Sequence, residues 1–423
     1  MKVLLVGGGG REHTLAWKLA QSPRLTELIA APGNPGIERH GRCVAIKDDG
    51  VEALRDLALR ERVDLTVVGP ELPLSLGLAD RLRERGLAVF GPSQAAARIE
   101  SSKAFAKDLM ARYRIPTARY RVFTDPAPAR AWCRELGVPL VVKADGLAAG
   151  KGVSICRTLP EADAALALCL EAGAFGAAGA SVVVEEFMGG EEASFFAITD
   201  GTAILPLAGA QDHKTVFDDD RGPNTGGMGA YSPAPILDVA MAERVMAEIV
   251  RPTVAAMARE GAPFAGFLYV GLMIGRDGPR VVEFNCRFGD PECQVVMPRL
   301  ADDLLPLLAA AARGEGLPAA LAWKPDAAVC VVLTSGGYPG RYETGLPITG
   351  VEAAAALPGV EIFHAGTARR DGALVTAGGR VLGVHATGPD LRAAVDTAYA
   401  AADRIQFTGK HHRRDIAWRA LHR

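Results

Sequence analysis

Residues 280–287 read Arg-Val-Val-Glu-Phe-Asn-Cys-Arg, and the alternation of side chains along a strand puts Glu283, Asn285 and Arg287 on one face and Phe284 and Cys286 on the other. A carboxylate and an amide oxygen so placed suit Mg2+, a hard cation that takes few protein oxygens, keeps waters and bridges nucleotide phosphates. Arg287 can fork onto a carboxylate or an acyl phosphate, which a lysine does less specifically. A second segment, Val142-Lys143-Ala144-Asp145-Gly146-Leu147-Ala148-Ala149-Gly150-Lys151-Gly152-Val153, joins two apolar runs through a glycine-rich loop. It is not a P-loop, because only three residues separate Gly146 from Gly150 and Gly152 stands where Ser or Thr should ligate magnesium. A flap of this kind, with Lys143 at the end of a strand, can close over a triphosphate and counter the charge that grows as its terminal phosphoryl group moves. The plainer readings are an edge strand facing water and a surface hairpin with solvated lysines.

Gly7-Gly8-Gly9-Gly10-Arg11-Glu12-His13 follows an apolar run and opens a helix, so its N–H groups and the helix dipole form an anion site. A dinucleotide fingerprint fails there. Glu12 or His13 occupies the last glycine place, and no acidic residue follows at the distance that would hold a ribose, which argues against a nicotinamide cofactor. The alternative is a tight turn without a ligand. In Val184-Glu185-Glu186-Phe187-Met188-Gly189-Gly190-Glu191-Glu192 a strand leaves a core through a two-glycine hinge. Main-chain groups around Glu186 to Met188 can read an adenine edge, and a later carboxylate can accept from ribose hydroxyls; taken singly, the segment is a solvated acidic turn. Gln211-Asp212-His213-Lys214 and residues 222–233 form a long polar, glycine-rich stretch of the type that binds or covers ligands. His213 has no Cys or second His at metal spacing, so zinc is not expected. Lys410-His411-His412-Arg413-Arg414 lacks an aromatic platform and reads as solvated surface or a fixed terminal turn, not a nucleic-acid patch.

The elements that must position these residues follow from pattern. A chain of 423 residues divides into about three units at roughly 150 residues each. Apolar runs at 2–6, 28–31, 65–68 and 88–90, separated by helix-length segments that include a helix over 14–21, predict a parallel βαβ domain ending near Gly91-Pro92-Ser93. One helix through Ile99, Ala106, Leu109 and Tyr113, closed by Pro116, opens the next unit. From residue 140 the pattern turns to antiparallel hairpins, with Asp200-Gly201 and Asp277-Gly278 as turn signals. Residues 314–325 read as a linker, followed by strands at 329–335, 360–364 and 380–385 and a helix over 391–402. The formal charge of −2 provides no field for nucleic acid or an acidic membrane, so an anionic small molecule must be held by local donors. No apolar run is long enough for a signal peptide or a membrane span. Seven cysteines without a C-x-x-C pair read as reduced thiols of a cytoplasmic protein.

Together these segments resemble the phosphoribosylamine–glycine ligases, or glycinamide ribonucleotide synthetases, ATP-grasp enzymes of purine biosynthesis. The resemblance runs over essentially the whole chain. It rests on Gly9-Gly10-Arg11-Glu12-His13, Ala31-Pro32-Gly33-Asn34, Val68-Gly69-Pro70-Glu71, Ser102-Lys103-Ala104-Phe105, Lys143 through Gly152, and Gly222 through Pro233. Arg287-Phe288-Gly289-Asp290-Pro291-Glu292-Cys293-Gln294 and Phe363-His364-Ala365-Gly366-Thr367 complete it. The resemblance implies an α/β and α+β multidomain fold: an N-terminal parallel βαβ substrate domain (1–100), a two-lobed ATP-grasp core (101–323, with the small nucleotide lobe at about 120–188) and a small β-rich C-terminal domain (324–423).

The same resemblance implies roles. Lys103 and Lys143 are the phosphate lysines, with Gly150, Lys151 and Gly152 in the flap over the nucleotide. Glu185, Glu186 and Phe187 form the adenine hinge, Glu192 or Glu191 accepts from the ribose, and Glu283 and Asn285 hold Mg2+ or Mn2+. Arg287 with Asn224, Thr225, Gly226 and Gly227 holds glycine and its acyl phosphate. Gly9, Gly10, Asn34 and Glu71 face 5-phosphoribosylamine, and Asp212, Asp290 and Glu292 are the candidates to take the amine proton. Gly8, often larger and polar in relatives, and Ala417, where glycine is common, are departures. The implied partners are ATP and small-molecule substrates, with neither nucleic acid nor membrane, and a cytoplasmic monomer is expected. The competing functions are an NAD-linked oxidoreductase and a catalytically silent nucleotide-binding regulator.

Overall fold

Val3, Leu4, Leu5 and Val6 are all fully buried, as expected for a central parallel strand with helices on both faces. In the computed structural model, which describes residues 1–147, 152–172, 174 and 176–423, that strand lies mid-sheet. The order is Arg42–Cys43, Glu27–Pro32, Lys2–Gly7, Leu65–Val68, Val89–Phe90, every pair parallel. The first helix, Gly10–Leu19, starts four residues before the expected 14–21. Glu12 supports the early start: from the third helical position it accepts from the Gly9 N–H at 2.7 Å, the one half of a capping box open to a glycine N-cap.

The single helix expected through Ile99 and Tyr113 is two helices, Gln94–Ser101 and Lys103–Arg112. Ser102 separates them because its backbone is extended and its hydroxyl accepts from the Phe105 N–H at 3.1 Å, which begins a new helix. The small lobe follows as an antiparallel sheet, ordered Tyr120–Phe123, Val182–Glu186, Leu140–Ala144, Val153–Cys156. Trp132, Leu140, Val142, Leu166 and Val184 give it a core of its own. A second antiparallel sheet, Ile204–Pro206, Glu191–Asp200, Ala265–Gly275, Gly278–Asn285, instead shares its core with the N-terminal sheet: Leu4, Ile29, Phe195, Val270 and Phe284 belong to one cluster. A hairpin does close near Asp277-Gly278, but its two-residue turn is Arg276-Asp277, one position earlier than expected, and Gly278, with φ +110°, opens the returning strand.

The C-terminal antiparallel sheet draws on more than the C-terminal region. Its order is Gln211–Asp212, Gly229–Ser232, Ala327–Thr334, Arg380–Gly388, Val360–His364, so two strands come from the middle of the chain. Helix Leu391–Arg404 packs on it. In the expected linker, Leu317, Leu321 and Trp323 pack against a core cluster, and Trp323 bridges to Leu300. The seven cysteines are free. Among the described residues no helix is long and apolar enough to cross a membrane.

Candidate active site

Lys143 extends from its small-lobe strand to the strand that carries the polar pair. Its Nζ donates to the Val282 carbonyl oxygen at 3.1 Å and pairs with the Glu185 carboxylate. That carbonyl is available because Val281 faces Leu272 and Glu283 faces Gly271, which makes Val282 the extra residue of a β-bulge. Glu283 is half-buried and Asn285 buried. Oriented by its hydrogen bonds, the Asn285 amide donates to the Phe284 carbonyl oxygen at 2.8 Å and accepts from Arg287 Nη1 at 3.2 Å.

Lys103, in the first turn of its helix, donates to the Gly146 carbonyl oxygen at 3.1 Å. Burial lowers its pKa, while Glu283 pulls the other way. Asp145 anchors the base of the flap by accepting from the Ala104 N–H at 2.7 Å and from the hydroxyls of Ser102 at 3.2 Å and Ser181 at 3.0 Å. Gly150 and Lys151 lie outside the described residues. On the far side the Gly152 carbonyl accepts from the Ala144 N–H at 2.8 Å.

The hinge strand has two different faces. Glu185 is buried between Lys143 and Lys107; burial would raise its carboxyl pKa, but the two ammonium groups overcome that and hold it below the usual range. Glu186 instead exchanges bonds with Arg119, at 2.9 and 3.0 Å, and pairs with Arg280. Phe187 is exposed. Beyond the two glycines, Glu192 lies 3.2 Å from Lys214 Nζ, while Glu191 accepts from Gln211 Nε2 at 2.8 Å and pairs with Arg423.

The N-terminal glycine loop is fixed from several sides. Gly7 has φ +116°, and a side chain on Gly8 would meet the Gly33 carbonyl oxygen at 2.5 Å. Glu12 fills the space beneath Gly7 and Gly69. Asn34 Nδ2 donates to the carbonyl oxygens of Gly8 and His364, both at 2.9 Å, while its oxygen accepts from Gly36 N at 2.9 Å and Ile37 N at 3.0 Å. Both amide hydrogens and both lone pairs are used, so Asn34 positions the loop instead of presenting a free hydrogen bond. Arg11 and Arg287 converge on the Phe288 carbonyl oxygen at 3.1 and 3.2 Å. Arg287 also lies 3.2 Å from Glu71 and 2.9 Å from Glu100. Burial would raise the Glu71 pKa, but Arg287 and Arg11 hold it down; Glu100 is pushed up by burial in spite of Arg287.

Opposite the glycine loop stands Asp290, whose Oδ2 accepts from the Arg11 N–H at 3.4 Å and whose Oδ1 accepts from Gln294 Nε2 at 2.8 Å. Residues 222–233, expected to be a long loop, are in part the strands Arg221–Asn224 and Gly229–Ser232. The turn between them is tied down. Thr225 Oγ1 donates to the Lys214 carbonyl at 2.7 Å and accepts from Gly227 N at 2.9 Å, Gly226 donates to Tyr338 Oη at 3.1 Å, and Arg380 donates to the Gly226 carbonyl at 2.7 Å. Both Asp212 oxygens lie 2.9 Å from Lys214 Nζ. Nearby, buried Glu292 accepts from Ser194 Oγ at 2.9 Å, and that hydroxyl is 3.1 Å from Tyr269 Oη. Burial, then Asp212, push the Glu292 carboxyl up to about 7. Asp290 goes the opposite way, since Arg380 and Arg11 outweigh its burial.

Residues 1–100 match the model of the phosphoribosylglycinamide synthetase N domain, 101–293 that of its ATP-grasp (A) domain and 328–419 that of its C domain. The chain belongs to the phosphoribosylglycinamide synthetase family. Phosphoribosylamine–glycine ligase of Rhizobium meliloti is 57% identical over 425 residues, covering 100% of this chain and 99% of that one. Its Pseudomonas aeruginosa counterpart is 53% identical over 427 residues with the same coverage. The crystal structure of phosphoribosylamine–glycine ligase from Thermotoga maritima matches with a TM-score of 0.85 at 34% identity, over 99% of this chain and 100% of that one. Campylobacter jejuni biotin carboxylase, crystallised as a β-γ-ATP complex, matches with a TM-score of 0.74 at 15% identity, over 97% of this chain and 92% of that one, and shares the fold alone.

Within this member of the synthetase family, Lys103, Lys143, Glu185 and Glu283 form one charged cluster. A second group brings Gly9, Gly10, Gly226, Gly227 and Asp290 together. Phe187 stands apart, facing solvent. Sequence reasoning missed Lys107, although its spacing of four from Lys103 puts both on one helix face. It also missed Arg380, for which no local pattern gives a signal.

Proposed function

We propose that the chain is an ATP-dependent ligase that joins glycine to 5-phosphoribosylamine through glycyl phosphate, giving glycinamide ribonucleotide, ADP and phosphate, a step of purine biosynthesis. The observation that carries this reading is the reach of Lys143 from the small lobe onto the bulged strand of Glu283 and Asn285. A triphosphate between the lobes meets the lysine and the metal ligands together. Glu283 and Asn285 are hard oxygen donors of the kind that would hold Mg2+ or Mn2+. A cation bound there would supply positive charge to the phosphoryl group in transfer.

The chain's own residues divide the remaining work. Lys103, Lys143 and the flap with Gly150, Lys151 and Gly152 hold the phosphates, the backbone of Glu186 and Phe187 reads adenine, and Glu192 takes the ribose. Arg287 with Asn224, Thr225, Gly226 and Gly227 orients glycine, whose carboxylate attacks the γ-phosphate. Gly9, Gly10 and Glu71 present the amine that then displaces phosphate from the acyl carbon. Alignment of this kind can recover roughly 7–11 kcal/mol of barrier. Of the three carboxylates considered for the amine proton, Glu292, at about 7, suits acceptance near neutrality, whereas Asp290 is held too low and Asp212 is committed to Lys214.

We assign the substrate domain to 1–100, the nucleotide core to 101–323 and the C-terminal domain to 324–423, in a cytoplasmic monomer. The test is substrate dependence: sustained ADP formation should need glycine and phosphoribosylamine together, with glycine alone giving at most one ADP per site. Turnover without ATP would remove the reading, tight NADH binding would favour an oxidoreductase, and unchanged behaviour of Glu283→Ala would favour a silent nucleotide-binding regulator.

A further inference from the structure

The helix Lys103–Arg112 brings a second lysine to the nucleotide site, and the reaction as described leaves it without a task. Lys107 is only 2% exposed. Its Nζ pairs with one oxygen of Glu185 while Lys143 pairs with the other. Lys107 also donates to Thr117 Oγ1 at 2.8 Å, and that hydroxyl donates to the Val281 carbonyl at 2.7 Å, one residue before the bulge. Burial lowers the Lys107 pKa to about 8 against the pull of Glu185. Keeping an ammonium in such a place is costly unless its charge is used.

The charge count suggests the use. Glu185 carries one negative charge and its two lysines two positive ones, so the trio has one positive charge in surplus. Lys143 and Lys107 are the cations acting on Glu185, since neighbouring Arg280 is taken by Glu186. Without Lys107, Lys143 and Glu185 form a closed neutral pair, and a phosphate oxygen has to compete with a buried carboxylate for the same ammonium. In a site of low dielectric that competition is strong.

We propose that Lys107 is a positioning residue for ATP: by neutralising Glu185 from the side away from Lys143, it leaves the Lys143 charge available to the triphosphate. The inference rests on the reading above that Lys143 meets the triphosphate. A double-mutant cycle tests it by calorimetric titration of ATP with Mg2+ into the full-length wild type, Lys107→Met, Glu185→Gln and the double variant. Lys107→Met should weaken ATP binding by roughly tenfold or more when Glu185 is present and by less than about twofold when glutamine replaces it. The KM for ATP should rise in Lys107→Met while that for glycine stays within about twofold, a split that general loss of structure does not produce. Equal losses of affinity in both backgrounds, or parallel increases in both KM values, would overturn the proposal. If the methionine variant does not fold, Lys107→Gln, whose amide can keep the Thr117 bond, takes its place in the cycle. Lys143→Gln separates the two levels. Unchanged ATP affinity there defeats the phosphate-site reading itself, whereas weakened binding there together with an unaffected Lys107→Met defeats the role of Lys107 alone.

Discussion

The guanidinium of Arg380 lies 3.3 Å from the Asp290 carboxylate and donates to the Asp290 carbonyl oxygen at 2.7 Å. The same Nη1 donates to Gly226, so a C-terminal strand fastens the turn proposed to hold glycine to the loop after Arg287. Arg380→Ala should raise the KM for glycine by roughly tenfold, the scale of a charge-assisted hydrogen bond, and leave the KM for ATP unchanged. Steady-state kinetics with each substrate varied in turn checks this; equal increases would place Arg380 outside glycine binding.

Lys143→Ala should lower turnover by at least about 10²-fold, the usual loss when one preorganised charge-stabilising donor is removed. Rapid-quench measurement of ADP formation is the suitable assay. Near-normal rates would mean that Lys143 serves only its bonds to Glu185 and Val282.

For the amine proton, kcat/KM for phosphoribosylamine should fall as pH drops below about 7, because Glu292 becomes protonated there. Glu292→Gln should abolish that limb and cost on the order of 10² in rate. A pH profile that keeps its acid limb in this variant would transfer the role to another carboxylate.

Stability should also depend on acidity, through the seam between the first helix and the strand Val360–His364. His364 donates its N–H to His13 Nδ1 at 2.7 Å, and burial pushes the His364 pKa down to about 4 from 6.5. Between these values the unfolded chain binds a proton that the folded chain refuses. Stability is therefore full above about pH 6.5, declines as pH falls and stops declining below about pH 4, a change on the order of 3 kcal/mol from this residue. Denaturant titrations of His364→Gln across that window should give a flatter profile than the parent chain.

Ala417 has φ +71°, the left-handed region, while its N–H donates to His213 Nε2 at 3.0 Å. That region of backbone space favours glycine over any residue with a side chain. Ala417→Gly should change stability by less than about 1 kcal/mol, because relief of the left-handed backbone is offset by loss of a fully buried methyl and by the freer unfolded chain; a larger shift in Tm in either direction would refute this balance.

Where local chemistry decided the structure, the sequence revealed it. The strands at 140–144 and 360–364 and the hairpin around Asp277 follow from alternation and turn residues. The break at Ser102 was missed because the apolar spacing of two helices ran through it in phase, and only a hydroxyl cap separates them. The bulge at Val282 leaves no trace in composition, yet it supplies the carbonyl that Lys143 takes. Asn34 reaches the His364 carbonyl 330 positions on and Arg380 the Gly226 carbonyl 154 positions back, distances that pattern within a window does not span.

The strand Gly229–Ser232 is bounded by Gln211–Asp212 on one side and Ala327–Thr334 on the other. Truncation before Ala327 would strip Gly229–Ser232 of a neighbour and bare a row of amides and carbonyls, an adhesive margin that invites other chains to stack on it. The C-terminal unit is therefore joined to the core by a shared sheet as well as by the chain itself.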